Sequence, residues 1–276
     1  MNTMSNIKIY QIYYDQHSKS HLDSGYIPFD NTENPFPGLR EYYVWKVLYE
    51  KFSDNMPEYW GAVSWKLYQK LNLKSNHIFD IINANPGFDI YFFNPFIDHE
   101  SLFFNVWEQG DFFHGNLSEV ANEIFRCQGF SINVNSIPMT SDNTLFTNSF
   151  IANSKFWKGF MQFVNLIFIE CESNPLLKSK LFDMGTGNYS QDQSLCMFPF
   201  IIERLVPTYC IINKLKIFGF KHTKHSIHEK YKDFFDDINT ISNIKKMYVK
   251  YNDIELFYCW NHLRNNTNSA LLSLIT

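Results

Sequence analysis

The chain has 276 residues, with 24 Lys+Arg against 28 Asp+Glu and a formal charge of −4, a size that fits one large domain or one domain with an appendage. The slightly acidic balance argues against a dedicated nucleic-acid binder, which carries a basic field, and no apolar run reaches the roughly 18–20 residues of a membrane span. Aromatic residues make up 18% of the chain and charged residues only 19%, an excess that calls for a structural or a binding role.

The opening six residues lack the basic and apolar regions of a secretory signal. Five scattered cysteines (127, 171, 196, 210 and 259) form no C-x-x-C. Both features read as a cytosolic protein with reduced thiols. Ile7 to Tyr14 is rich in β-branched and aromatic residues and predicts an opening strand that ends at Asp15. His17 to Gly38, full of Gly, Pro, Asn and Asp, reads as a long ordered loop. Helical spacing follows over Arg40–Phe52, then a short strand or turn at Trp60–Trp65 and a helix capped by Ser75. Phe88–Phe93 is a near-continuous apolar run of the kind found in buried parallel strands, closed by Asn94-Pro95. Asn116-Leu117-Ser118-Glu119 resembles a capping box. Leu145–Ile151 predicts a strand, with Asn143, Thr147 and Ser149 on one face and Thr144, Phe146 and Asn148 on the other. Asn153-Ser154 then caps an apolar helix to about Glu172, and Leu176–Asp192 reads as a loose connection. Pro199–Ile212 is helical, Leu215–Phe220 a strand, and His222–Thr276 a more charged helical stretch. Alternating strands and helices define an α/β fold with a parallel or mixed sheet, divided as a domain over residues 1–220 and a helical appendage over 221–276.

The glycine-rich dinucleotide fingerprint, the Walker loop, the H-E-x-x-H motif and the G-x-S-x-G elbow are all missing. His222-x-x-His225-x-x-His228, interleaved with lysines, reads as a solvated basic surface, with a shared metal as the alternative. Asp98-His99-Glu100 follows the buried strand and reads as a polar turn or as two carboxylates for Mg²⁺ or Mn²⁺ beside a diphosphate. Glu203-Arg204 interrupts the apolar run Met197–Pro207. Burying two charges costs several kcal/mol each unless they are paired, so each belongs either to an ion-pair network or to a wet cleft. Pro207 cannot donate to the Glu203 carbonyl and predicts a kink there.

Taken in order, several segments resemble bacterial polysaccharide glycosyltransferases of the capsule and O-antigen type. They are Lys8–Asp15, Leu22–Asn31, Trp60–Lys66, Phe88–Phe96, Asn143–Ile151 with Phe156-Trp157, and Phe200–Leu205. The set is similar to the domain-of-unknown-function group 4422, over roughly residues 7–212. The resemblance implies a GT-A-like, Rossmann-type mixed sheet flanked by helices, and transfer of a sugar from a nucleotide-sugar to a glycan or lipid-linked acceptor. It implies Glu203 as general base, with Arg204 or Lys66 stabilising the departing diphosphate. Tyr13, Asp15, Ser64, Lys66, Asn94, Asn143, Thr144 and Asn148 would border donor and acceptor. Such folds usually hold Mn²⁺ or Mg²⁺ with a D-x-D, which this chain lacks; Asp98 and Glu100 are the metal candidates. A non-catalytic glycan-binding module of the same pathway is the alternative, and a methyl- or acyltransferase a weaker third. Lys245, Lys246, Lys250 and Arg264 among C-terminal aromatics fit either helices packed on the domain or contact with the inner face of the cytoplasmic membrane. Aromatics outside the core periods gather at 17–38, 60–65 and 103–113 beside short polar residues, a sugar-binding wall in composition.

Overall fold

Ile7–Tyr13 forms strand β1, its β-branched and aromatic side chains filling both faces of the ribbon. Asp15 ends it. The Asp15 carboxylate accepts from the Ser18 amide while Ser18 Oγ accepts from the Asp15 amide, a reciprocal cap that opens helix α1 (Gln16–Ser20). The computed structural model describes residues 6–187, 195–224, 227–267 and 271. In chain order β2 (Ile27–Asp30), α2 (Glu41–Lys51), β3 (Tyr59–Ser64), α3 (Leu67–Leu71), α4 (Ser75–Ala84) and β4 (Ile90–Phe92) follow. Then come α5 (Ile97–Leu102), α6 (Val106–His114), α7 (Leu117–Cys127), β5 (Phe150–Asn153), α8 (Ser154–Ser173) and α9 (Pro175–Phe182). The last elements are α10 (Phe198–Ile212), β6 (Ile217–Gly219), α11 (Phe235–Tyr251) and α12 (Ile254–Asn265).

The six strands lie in the order β2-β1-β3-β5-β4-β6. β1, β2 and β3 are mutually parallel, β4 and β6 are parallel, and β5 runs against both of its neighbours. This is the mixed α/β sheet flanked by helices that the alternating pattern predicts. β4 shows why its sequence has no polar face: Ile90 and Phe92 enter the larger apolar layer, Tyr91 and Phe93 the smaller one on the opposite face. Much of the aromatic excess is spent here. Trp60 and Trp157 stack at 3.8 Å and 12°, with the Trp157 indole donating to the Trp60 carbonyl.

Several local expectations are corrected. Residues 17–38 hold a helix, a strand and a 3-10 turn at Pro37–Leu39 rather than one loop; the strand is short, and its Pro28 is tolerated only at the sheet edge. Ser75 does not cap α4. The cap is remote, with Asp23 accepting from the Ser75 amide and hydroxyl at 3.0 and 2.6 Å. The capping box at 116–119 does not close, because Asp111 accepts from the Ser118 amide instead. The strand expected from Leu145 starts only at Phe150. Asn143 Oδ1 takes the Thr140 amide and Thr144 Oγ1 donates to the Thr140 carbonyl, which fixes a turn, so strand alternation does not sort these side chains. Part of the expected loose connection over Leu176–Asp192 is helix α9; residues 183–187 follow it without regular structure, and 188–192 lie outside the described residues. α10 spans Pro207, in keeping with the helix read over Pro199–Ile212. His222 meets the Asn94 carbonyl in irregular backbone and His228 caps a 3-10 turn, so those two share no helix face; His225 lies outside the described residues.

α11 and α12 form an antiparallel hairpin that closes the C-terminal end of α5. A helix leaves its last four carbonyls without partners. Here Lys245 Nζ donates to the Glu100 and Phe103 carbonyls, the Trp260 indole to Ser101 and Arg264 Nη1 to Leu102. Lys246 pairs with Asp142 at 3.0 Å, Arg264 with Glu108 at 2.9 Å, and Lys250 lies over the Tyr251 ring. Three of the four cations read as membrane-facing are therefore committed within the fold. No helix among the described residues is long and apolar enough to cross a membrane.

Candidate functional site

After β1 the chain crosses to β2 on one side, and after β3 the sheet grows on the other, so a crevice opens at the C-terminal ends of β1 and β3. Two contiguous clefts fill it, of about 590 and 540 Å³, sharing Arg40, Glu41 and Ser64. The first is walled by the end of β1 (Ile12, Tyr14), the end of β3 (Ser64, Trp65) and the turn after β2 (Asn31, Thr32). Tyr14 is half exposed there and accepts a hydrogen bond from the Trp65 indole at 3.1 Å. His17 and His21 pack against Trp65 at 5.3 and 5.5 Å, and Lys66 Nζ lies 5.0 Å over its ring.

Glu203 stands in the second cleft, on α10, with Thr147, Asn148 and His99 in the same lining. Burial pushes its carboxyl up to about 7, with Glu41 adding to the rise, while Arg204, Lys70 and Arg40 hold it down. Arg204 beside it is 2% exposed and sits at the base of the same lining, its guanidinium bonded into the fold. Its guanidinium donates to the Val106 carbonyl at 2.9 Å, the Phe200 carbonyl at 3.0 Å and Gln109 Oε1 at 2.6 Å, leaving Glu203 Oε1 at 3.7 Å from Nη1. Guanidinium only donates, so the Gln109 oxygen must face it and Gln109 Nε2 must face His99 Nδ1, 3.2 Å away. His99 Nδ1 is then the acceptor and the proton sits on Nε2. Burial, with Lys230 and Arg204 near, brings His99 down to about 4 against the pull of Asp98, so it is neutral at physiological pH. Its ring is stacked between Phe96 and Phe113 at 5.0 and 5.4 Å.

Gly110 makes room for this arrangement. A Cβ there would lie 2.5 Å from Arg204 Nε and 2.8 Å from Leu117 Cδ1. Alanine is worth about 1 kcal/mol over glycine in an exposed helix interior, but overpacking costs roughly 1–3 kcal/mol. Gly110→Ala should thus lower the midpoint of urea unfolding and weaken ligand binding; a higher midpoint would contradict the packing described.

Of the residues that the sequence singles out, the cleft brings together Ser64, His99, Thr147, Asn148, Glu203 and the buried Arg204. Asn148 Oδ1 is buried without a partner, as is Thr147 Oγ1, in a side chain 7% exposed. The others are engaged elsewhere. Tyr13 Oη donates to Asp30 at 2.7 Å, Asp15 caps α1, Lys66 covers Trp65, and Asn143 and Thr144 hold the turn at Thr140. Asn94 donates to Glu100 at 2.9 Å. Asp98 and Glu100 do not converge on one ion. Two apart on α5, they leave it in different directions: Asp98 lies 3.9 Å from His99 Nε2, both its oxygens without a hydrogen bond, and Glu100 meets Asn94 with its carboxyl pushed up to about 7 by burial. Among the described residues no group of three or more His, Cys, Asp or Glu could hold a metal ion. Arg40 and Lys70 escape the sequence reading as site residues, since no periodicity joins them and only the fold sets them around one cavity.

Fold and crevice define an α/β protein with a deep cleft at the carboxyl edge of a mixed sheet. No protein-family model matches the chain, so membership of the 4422 group finds no support, and no curated protein matches it. Among solved structures, the apo form of the WbbM bifunctional glycosyltransferase is similar, with a TM-score of 0.45 and 16% identity over 77% of this chain. The match takes in 44% of that structure, so the chain spans less than half its length.

Proposed function

We propose that the protein is a glycosyltransferase that moves a sugar from a nucleotide-sugar to a glycan or lipid-linked hydroxyl. The single observation that carries this reading is Glu203: a carboxylate with raised proton affinity, in a cleft rimmed by unpartnered hydroxyl-seeking groups, at the carboxyl edge of parallel strands. The nucleoside would lie in the first cleft against Tyr14, and the sugar in the second beside Thr147 and Asn148. An acceptor hydroxyl attacks the anomeric carbon, and the carbon–oxygen bond to the diphosphate breaks, its electron pair leaving with the nucleotide. Glu203 takes the hydroxyl proton, a step that a well-placed carboxylate accelerates about 10²–10⁴-fold. Arg204 orients the wall through Gln109 and His99 rather than touching substrate.

A general base works deprotonated. With Glu203 near 7, kcat/KM should rise with pH through about 7 and level off above it. The check is nucleoside-diphosphate release from a panel of nucleotide-sugars, with water or simple glycosides as acceptors. A rate flat from pH 5.5 to 8.5 would remove Glu203 from the proton transfer.

A further inference from the structure

Arg40 and Lys70 are cations that the proposed proton transfer leaves without a task. Arg40 lines both clefts and Lys70 the second. Neither is in an ion pair with a described residue. Both share the second cleft's lining with Glu203, whose carboxyl they hold down, so all three groups border one notch. Arg40 has φ 46°, a backbone conformation that non-glycine residues rarely adopt. That twist, with the Arg40 amide donating to the Pro37 carbonyl, sets Arg40 as the first residue before α2, whose 11-residue helix has no side-chain cap. The free N–H groups of a helix start favour negative charge. Setting aside the buried Arg204, the lining carries three cations, Arg40, Lys70 and Lys230, against two carboxylates, Glu41 and Glu203. On one side of the notch is the Tyr14–Trp65 aromatic wall, on the other the unpartnered Thr147 Oγ1, nine-tenths buried.

From this order of aromatic wall, cationic notch and polar pocket, we infer that Arg40 and Lys70 form the binding site for the diphosphate of a nucleoside-diphosphate ligand. The inference rests on the reading of the clefts as a nucleotide-sugar site. As the glycosidic oxygen departs, the two cations meet the charge that develops on the diphosphate.

Isothermal titration of the wild type, Arg40→Gln and Lys70→Gln with UDP, GDP and ADP, their nucleosides and inorganic pyrophosphate tests it. The expected result is a nucleoside diphosphate that binds wild type at least tenfold tighter than its nucleoside. Each substitution should weaken it at least tenfold and leave the nucleoside unchanged. Lys70→Gln decides the matter if Arg40→Gln disturbs the α2 start and lowers the melting temperature. Equal affinity in wild type and Lys70→Gln overturns the diphosphate site and leaves the proposed function standing. Wild type that binds CMP or a CMP-sugar but no nucleoside diphosphate does the same. Pyrophosphate binding as tight as the nucleoside diphosphate, and lost in the variants, supports the anion site but contradicts nucleotide recognition. No binding of any nucleotide overturns both readings.

Discussion

Glu203→Gln lowers turnover by about 10²–10⁴-fold, the share of a positioned general base, and at the same time makes the protein more stable above pH 7. The sign follows from burial. In the folded protein the Glu203 carboxyl is raised from 4.5 to about 7, so the folded state holds its proton more tightly than the unfolded chain does. The contribution is full below pH 4.5 and is lost as pH rises through about 7. Glutamine never ionises. Its advantage therefore grows between pH 4.5 and 7 and is constant above. The side chain is 22% exposed, so solvent screens part of the cost, and the gain is ~2 kcal/mol. Thermal denaturation at pH 5 and pH 8 measures it. An inactive variant with no alkaline gain would mean that the carboxylate is not desolvated.

Trp260→Ala carries the largest stability cost. Trp260 is fully buried beneath the α11–α12 hairpin, its indole donates to the Ser101 carbonyl at 2.8 Å, and the Arg264 guanidinium lies 4.3 Å over its ring. Truncating a buried tryptophan costs about 3–5 kcal/mol, and an orphaned carbonyl adds roughly 1–3 kcal/mol. For a chain of this size the melting temperature should fall by about 10 °C. Because α5 also carries His99 into the second cleft, nucleotide-sugar affinity should fall as well, whereas Trp260→Phe keeps the bulk and loses only the indole donor. A melting temperature within about 2 °C of wild type in Trp260→Ala would contradict the hairpin's role as the cap of α5.

The strands and longer helices were legible because their apolar spacing is local: β1, β3, β4, α2, α8 and α10 all follow it. Legibility failed where a distant residue supplied the decisive contact. Asp23 caps α4 from 52 residues away, and the turn at Thr140 is locked by side-chain bonds that take Asn143 and Thr144 out of the expected strand. Glu203-Arg204 stood out because two charges in an apolar helix need an explanation. The sequence left both an ion-pair network and a wet cleft open. The fold gives neither in full: Arg204 bonds to carbonyls and an amide inside, and Glu203 stands on the cleft with Arg204 3.7 Å away. The resemblance set Asp15 and Asn94 beside donor and acceptor, yet both are engaged in local hydrogen bonds. The aromatic excess was mostly core, as in the Trp60–Trp157 stack, with Tyr14, Phe96, Phe113 and Phe200 left on the cleft walls.

In the proposed function the two joined clefts hold one nucleotide-sugar. Thermal shift of the wild-type protein against a panel of UDP-, GDP-, ADP-, dTDP- and CMP-sugars tests it most directly, since a ligand bound to the folded state stabilises it by mass action, about 2.7 kcal/mol at a hundredfold excess over Kd. At least one nucleotide-sugar should raise the melting temperature in a saturable way, more than its free sugar does, and equally in Glu203→Gln. A panel in which free glycans stabilise the protein and no nucleotide-sugar does would contradict it.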